Sequence, residues 1–210
     1  MRGNIKLKPD ETSIGTRRCI ETLRSNVLSN PLCYFSESDL QSELFALLLS
    51  EFPSVLPITN TSVWGTLNPK RLRRCCSRRV HSELLLPEGR IDVAVLDLEK
   101  VRLAANSRGR FGHIQLQDGE HIFIELKSTR TNRSVVSSVH RWNRLLEADI
   151  QRLNRYSHQC FLLCFDFCGL LPDSQTESLR KCANPNVELI YVKTDFDRCL
   201  FDSTQGETEV

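Results

Sequence analysis

The stretch GRIDVAVLDLE, residues 89–99, is an apolar run with one acidic side chain, Asp92, near its start. A second stretch, HIFIELKST at residues 121–129, repeats the pattern with Glu125 and Lys127. Both are typical of buried strands, because apolar residues occupy both faces of each run. Charge in such strands is costly unless it is paired, so these three side chains decide how the rest of the chain is interpreted.

Strand alternation predicts that Glu125 and Lys127 share one face, roughly 6 to 7 Å apart. Asp92 comes level with Glu125 if the two strands pair. Two hard oxygen ligands beside an ammonium group suit Mg²⁺, which prefers one or two carboxylates plus water and phosphate oxygens. The opposite face of the second strand is expected to carry Ile122, Ile124 and Leu126.

The bulk composition predicts one soluble, intracellular domain. A chain of 210 residues can bury one sizeable core, and its start has no apolar segment of signal-peptide length. The formal net charge is only +2, so a nucleic-acid partner has to be met by a local basic patch. Nine scattered cysteines are interpreted as small buried side chains in a reducing compartment, which is cytoplasmic, nucleoid or nuclear.

Two helices are predicted ahead of the strands. The second, residues 36–52, has Ser38 and Gln41 at capping-box spacing and is stopped by Pro53. The first, residues 14–28, is expected to bury Ile20, Leu23, Val27 and Leu28.

Further along, the pattern predicts a strand at 80–86 and a central strand at 90–98. Residues 112–128 are predicted to be a hairpin around Asp118-Gly119, with 100–111 as a loop before it. A helix at 139–157, a strand at 160–167, a helix at 174–182 and a strand at 187–193 follow. This order indicates an α/β domain with a mixed sheet.

Glu43 adds a third acidic position. It lies between Leu40 and Leu47 on the second predicted helix, so it projects from the apolar stripe and needs a partner. Glu43, then Asp92 in RIDVAVL, then Glu125 and Lys127 in IELK form an ordered set in defined structural contexts.

That set resembles the PD-(D/E)XK nuclease superfamily over roughly residues 38 to 166. The resemblance implies the restriction-endonuclease-like fold, an αβββαβ core with a mixed central sheet flanked by helices. Two departures are visible. Ile91 replaces the family's proline, and the long stretch between Asp92 and Glu125 indicates an added hairpin strand. The expected organisation is a helical extension at 1–35, a nuclease-like domain at 36–201 and a disordered tail at 202–210.

The resemblance also implies roles. Asp92 and Glu125, with the backbone carbonyl of Leu126, would ligate Mg²⁺, for which Mn²⁺ can substitute. Lys127 would orient the attacking water or help to deprotonate it, and Glu43 would hold a second metal or a metal-bound water. In many members the later helix carries a polar or basic residue near the site, for which Gln151 and Arg152 are the candidates here.

Basic residues could neutralise phosphates and make binding salt-dependent. Arg141, Arg144, Gln151 and Arg155 form one stripe of the helix at 139–157, and its apolar stripe comprises Trp142, Leu145, Leu146 and Leu153. The remaining basic candidates are Arg73 and Arg74 in the run at 70–79, with Arg102, Arg108 and Arg110 in the following loop.

The predicted function is therefore a Mg²⁺-dependent phosphodiesterase, an endonuclease acting on DNA, with a homodimer as a family-level expectation. One alternative is a catalytically inactive module of the same fold that binds nucleic acid or a protein partner. Another is an unrelated α/β protein in which the charges form a structural ion-pair network.

Simpler interpretations stand beside individual residues. Asp92 and Glu125 could be strand-end charges paired with Lys127, and Glu43 could cap its helix or pair with an arginine of the later helix. The polar stripe could be a solvated helix face. The four-residue spacing of Cys160, Cys164 and Cys168 favours core packing over the iron–sulfur cluster of some relatives. The histidines are assigned no role.

Overall fold

The computed structural model describes residues 9–53, 55–57, 76–86, 88–105, 111–130 and 138–194. Arg73, Arg74, Arg108, Arg110 and the predicted tail at 202–210 lie outside the described residues. The helices are α1 (Pro9–Ser29), α2 (Glu37–Glu51), α3 (Val139–Leu153) and α4 (Asp173–Cys182). The strands are β1 (Val55–Pro57), β2 (Cys76–Arg78), β3 (Val80–Leu86), β4 (Gly89–Val95), β5 (Val101–Ala105), β6 (Phe111–Leu116), β7 (Ile122–Ser128), β8 (Gln159–Asp166) and β9 (Val187–Lys193).

A five-stranded mixed sheet, in the order β3-β4-β7-β8-β9, is the centre of the protein. β3, β4 and β7 pair antiparallel, whereas β7, β8 and β9 pair parallel. The parallel connections run through α3 and α4, as crossover connections between parallel strands require. The predicted α/β class with a mixed sheet is confirmed, and so is the central position of β4.

Helices α1 and α2 cover one face of this sheet. α1 buries Ile20, Leu23 and Val27, as predicted, but Leu28 is half-exposed, so its predicted place on the buried face is wrong. The two helices approach closely at Gly15, where an added Cβ would lie 2.9 Å from Phe52 Cζ. On the strands below, this layer packs on Val93, Val95, Ile122, Ile124 and Leu126.

The N-cap of α2 lies two residues before the predicted cap. Ser36 is the N-cap, and it exchanges hydrogen bonds with Asp39 in a capping box. The predicted box of Ser38 and Gln41 is therefore wrong, because both residues lie inside the helix. A buried stripe of Leu40, Leu44 and Leu48 holds α2 on the sheet.

Helices α3 and α4 cover the other face. α3 ends at Leu153, earlier than the predicted 157. Its predicted apolar stripe is correct except at Leu145, which is exposed; Ile150 takes its place. Cys160 and Cys164 of β8 are buried in the same core, which confirms the packing interpretation for these two cysteines.

The segment between β4 and β7 corrects the predicted hairpin. β6 pairs with β5, not with β7, so Asp118-Gly119 is not a two-residue hairpin turn. The predicted loop at 100–111 therefore contains a strand, on which Arg102 lies. The added hairpin expected between Asp92 and Glu125 is present as β5–β6, a separate two-stranded sheet.

None of the helices in the part of the chain that the structure describes combines the length and the apolar character that crossing a bilayer requires.

Candidate active site

Asp92 and Glu125 meet where β4 and β7 separate. The last residue pair between these strands is Val93 with Ile124, so continued register would place Asp92 opposite Glu125. Instead of a ladder bond, the carboxylate of Asp92 enters the gap, and its Oδ2 accepts a hydrogen bond of 2.8 Å from the main-chain N–H of Leu126. Sequence alternation predicted this juxtaposition.

The neighbouring strand is distorted at the same level. Glu83 of β3 has a φ of 54°, which is unusual for a residue other than glycine. Its carboxylate accepts a hydrogen bond from Gln41 Nε2 and pairs with Arg90. Gln41 also donates to the main-chain oxygen of Asp92 at 2.9 Å. The backbone that carries Asp92 is thus held by a side chain from α2.

Glu125 and Lys127 lie on the same face of β7, as alternation predicts. Lys127 Nζ donates to Glu125 Oε1 at 2.9 Å and to the main-chain oxygen of Leu126 at 2.8 Å. Glu125 is only 4% exposed, so its carboxylate is buried. The residues of the IELK motif therefore converge on one site.

The acidic residue that α2 brings to this site is Glu37. Its Oε1 lies 3.5 Å from Lys127 Nζ. Glu43 lies elsewhere, because its two oxygens accept hydrogen bonds from Asn26 Nδ2 at 2.6 Å and from Tyr34 Oη at 2.5 Å. The structure thus does not bring Glu43 into the site, nor does it pair Glu43 with an arginine of α3.

α3 contributes Asp149 and Arg152. Arg152 Nη2 contacts Glu125 Oε1 at 2.6 Å and Asp149 Oδ1 at 2.9 Å, and its Nη1 donates to the main-chain oxygen of Arg90. Asp149 Oδ2 lies 3.9 Å from Lys127 Nζ. Of the predicted polar residues, Arg152 joins the site. The others are exposed: Arg141, Arg144 and Gln151 lie on α3, and Arg155 follows its end.

Sequence reasoning missed two members of the site. Asp149 lies three residues after the buried Leu146 and four before the buried Leu153, so it projects from the apolar stripe of its helix. Glu43 was identified by the same spacing, and the spacing could have identified Asp149 as well. Glu37 had no such pattern. An acidic side chain in the first turn of a helix is ordinarily explained by the helix dipole, and nothing in the sequence indicates that it reaches β7.

Together these groups form an acidic site. We call it the charged cluster, and its members are Glu37, Asp92, Glu125, Asp149, Lys127 and Arg152. Four carboxylates face two cations, so the cluster carries a formal charge of −2 when every member is ionised. The two cations therefore do not fully compensate the repulsion among the four carboxylates.

The pKa values follow from this arrangement. Burial raises the pKa of Asp92 to about 6; Glu125 adds to the shift, and Lys127 opposes it. Burial likewise raises the pKa values of Glu37 and Asp149 from their ordinary values. Burial alone would lower the pKa of Lys127, but the surrounding carboxylates, Glu125 first, raise it above its ordinary value. Lys127 is therefore a protonated hydrogen-bond donor.

Three buried polar atoms in and beside the cluster have no hydrogen-bond partner: Glu125 Oε2, Arg152 Nε and Tyr156 Oη. Tyr156 lies one turn after Arg152 and packs its ring on Phe123, two residues before Glu125. A buried carboxylate oxygen without a donor is expensive and therefore unusual. Glu125 Oε2 is thus available to a ligand that supplies positive charge.

The residues fit a divalent cation in their chemistry. Within the described residues no group of three or more His, Cys, Asp or Glu side chains is arranged to hold a metal ion. Mg²⁺ does not need such a cage, since it is usually bound by one or two carboxylates and keeps several waters. Asp92 and the free oxygen of Glu125 provide these two carboxylates. Leu126 O accepts from Lys127, so it could act as a ligand only if that bond were given up.

Comparisons of the chain with protein-family models, with curated proteins and with solved structures return no match. The chemistry of the charged cluster is accordingly interpreted from its own geometry.

Proposed function

We propose that the protein is a metal-dependent nuclease that hydrolyses phosphodiester bonds, with DNA as the substrate favoured by the resemblance of its motifs. The observation that carries the proposal is the unpartnered, buried Oε2 of Glu125 beside Asp92, in a cluster with more carboxylates than cations. A structural ion-pair network would be expected to satisfy its own oxygens and balance its own charge.

The topology supports the same proposal. Helix α2, the antiparallel strands β3, β4 and β7, helix α3 and the parallel strand β8 occur in the order of the αβββαβ core that the resemblance implies. Two further strand pairs are inserted, β1–β2 between α2 and β3 and β5–β6 between β4 and β7. Asp92 and Glu125 stand on the second and third of these core strands. We propose the restriction-endonuclease-like fold on this basis.

In this proposal Asp92 and Glu125 hold Mg²⁺, or Mn²⁺ in its place. The bound ion would compensate charge on the phosphate and make water more acidic. Lys127 stays protonated and donates hydrogen bonds, so it orients the water or a phosphate oxygen. Its neighbour Glu37 is partly exposed, and its raised pKa makes it a better proton acceptor than an ordinary carboxylate.

Asp149 and Arg152 act on the other members of the cluster. Arg152 holds Glu125 by Oε1, which leaves Oε2 for the cation. Asp149 keeps Arg152 and Lys127 in place from the side of α3. Both are therefore positioning residues in this proposal.

The test is cleavage of labelled single-stranded DNA, double-stranded DNA and RNA with Mg²⁺, with Mn²⁺ or with EDTA. We expect cleavage that EDTA abolishes. We also expect Asp92→Asn and Glu125→Gln to lower the rate by a factor of about 10² to 10³ or more, as removal of one preorganised charged group typically does. Glu43→Gln is the matched control, because Glu43 lies outside the cluster and should leave cleavage unchanged.

Two results would count against the proposal. Binding of nucleic acid without cleavage under every metal condition would favour the catalytically inactive module. Cleavage that survives Asp92→Asn and Glu125→Gln would place the active site elsewhere.

A further inference from the structure

We infer that Phe35 is a stacking surface for an unpaired nucleobase, so that the substrate is single-stranded or locally opened nucleic acid. The inference rests on the proposed function and deepens it by naming the substrate class. It is carried by the position, the rigidity and the exposure of one aromatic side chain next to the charged cluster.

Phe35 is close to the cluster along the chain. It precedes Glu37 by two residues, which places their Cα atoms within about 7 Å of each other. Glu37 in turn reaches Lys127, with 3.5 Å between Oε1 and Nζ. A strand of nucleic acid with its phosphate at Lys127 would therefore have a neighbouring base within reach of the Phe35 ring.

The backbone that presents Phe35 is fixed. Its own N–H donates to Asp39 Oδ2 at 2.9 Å, and the N–H of Ser36 donates to the same oxygen at 2.8 Å. On the other side, Arg130 Nη1 donates to the main-chain oxygens of Pro31 at 2.7 Å and Tyr34 at 2.9 Å. A ligand that binds here does not have to order the turn, which keeps the entropic cost of binding low.

The ring itself is left in solvent. Phe35 is 72% exposed, and Leu32 in the same turn is 52% exposed, whereas Tyr34 between them is 4% exposed. A rigid turn that buries one aromatic ring and holds the next one outward presents a ready apolar contact. Aromatic side chains in this situation are the common platforms for unpaired bases.

The cluster's formal charge of −2 repels phosphates until a cation is bound. A strand can therefore place a phosphate at Lys127 and a base on Phe35 only when this surplus charge is neutralised. Stacking accepts every base, because each has a π face, so the inference predicts little sequence preference. In a closed duplex the base faces are already stacked on one another and are not available to the ring.

The experiment measures binding separately from cleavage. Fluorescence anisotropy with labelled oligothymidylate, and with a duplex of the same length, is recorded in EDTA in an Asp92→Asn, Glu125→Gln background, whose cluster has a formal charge of zero. In this background Phe35 is kept, changed to Ala (Phe35→Ala) or changed to Trp (Phe35→Trp). Leu85→Ala is the matched control, since Leu85 is 74% exposed but belongs to β3. We expect Phe35→Ala to weaken oligothymidylate binding by roughly 5- to 150-fold, the range for loss of one stacked base, and to leave duplex binding nearly unchanged. Phe35→Trp should restore affinity, and its added fluorescence should be quenched by the oligonucleotide.

The outcomes separate this inference from the proposed function. Unchanged oligothymidylate affinity in Phe35→Ala overturns the inference even if wild type cleaves DNA. Equal losses for duplex and single strand, or a loss of the same size in Leu85→Ala, overturn it as well. If wild type cleaves nothing but the background protein binds single strands through Phe35, the proposed function fails and the inference holds.

Discussion

Two buried acidic regions at the ends of neighbouring strands differ in how their oxygens are satisfied. Asp166, at the end of β8, is 1% exposed. Its Oδ1 accepts the N–H of Cys168, and its Oδ2 accepts the N–H of Leu171 and the hydroxyl of Tyr191. The Tyr191 oxygen accepts in turn from Trp142 Nε1 at 3.0 Å. Both oxygens of Asp166, the hydroxyl of Tyr191 and Nε1 of Trp142 thus have hydrogen-bond partners, and these bonds connect β8 and β9 with α3.

The charged cluster is built differently. Its acids come from four elements, Glu125 keeps an unpartnered oxygen, and its carboxylates outnumber its cations. A buried acid that serves only the fold can be surrounded by fixed donors, as Asp166 is. Buried carboxylates that lack enough hydrogen-bond donors or cations lower the stability of the fold. They are therefore expected where a bound ligand supplies the missing positive charge. This contrast distinguishes a carboxylate whose oxygens are satisfied within the fold from one that keeps an unpartnered oxygen.

Lys127→Met is the substitution with the largest expected effect on stability. It removes the ammonium shared by Glu125, Glu37 and Asp149, and breaking a buried ion pair from one side typically costs about 3 to 5 kcal/mol. The measurement is the free energy of unfolding in urea at pH 8. Lys193→Met, on the exposed end of β9, is the control and should stay within about 0.5 kcal/mol of wild type. A loss of about 0.5 kcal/mol or less for Lys127→Met would show that Arg152 alone balances the cluster.

The same substitution should have opposite signs in the two regions. Asp166→Asn replaces an acceptor by an amide that faces fixed N–H donors, and should lower the free energy of unfolding by about 1.5 to 3 kcal/mol. Asp92→Asn removes surplus negative charge while the amide oxygen can still accept from Leu126, and should raise it by about 1 to 3 kcal/mol at pH 7.5.

The pH dependence of the free energy of unfolding tests whether the charge of Asp92 destabilises the fold. Its pKa is raised to about 6 in the folded protein, so the folded state binds more protons than the unfolded state between about pH 4 and pH 6. Wild type therefore loses stability as the pH rises through this window and does not regain it above. The gain from Asp92→Asn should be full above pH 7 and vanish near pH 4. A destabilising Asp92→Asn at pH 7.5 would mean that the charge of Asp92 serves the fold.

Much of the fold follows from the sequence, because the strands of the central sheet have strong local patterns. β4 and β7 are apolar on both faces, which is why their central positions and the meeting of Asp92 with Glu125 could be predicted. The failed hairpin shows the limit of local patterns. Asp118-Gly119 has the composition of a tight turn, but β7 pairs with β4 on one edge and with β8 on the other, which leaves neither edge for β6.

The charged cluster was predictable on β4 and β7 and less so on the helices. Strand alternation fixes which way Glu125 and Lys127 point, whatever the neighbours. The direction of a helical side chain depends on how the helix is rotated and where it begins, and α2 begins at Glu37 because Ser36 and Asp39 cap it. With the helix in this position, Glu37 contacts Lys127, and Glu43 accepts hydrogen bonds from Asn26 and Tyr34.

Glu43→Gln tests whether Glu43 lies outside the charged cluster, and its expected effect on the free energy of unfolding is smaller than that of Lys127→Met. It weakens the hydrogen bonds that Glu43 accepts from Asn26 and Tyr34, so the free energy of unfolding should fall by about 1 kcal/mol, while metal-dependent cleavage should be unchanged. Glu37→Gln is the paired variant on the same helix, and should slow cleavage with little loss of stability, because Glu37 is partly exposed. Both variants are compared by urea unfolding and by initial cleavage rates at saturating Mg²⁺. Loss of cleavage in a folded Glu43→Gln, with Glu37→Gln still active, would reverse the two roles and return Glu43 to the site that its helical pattern predicts.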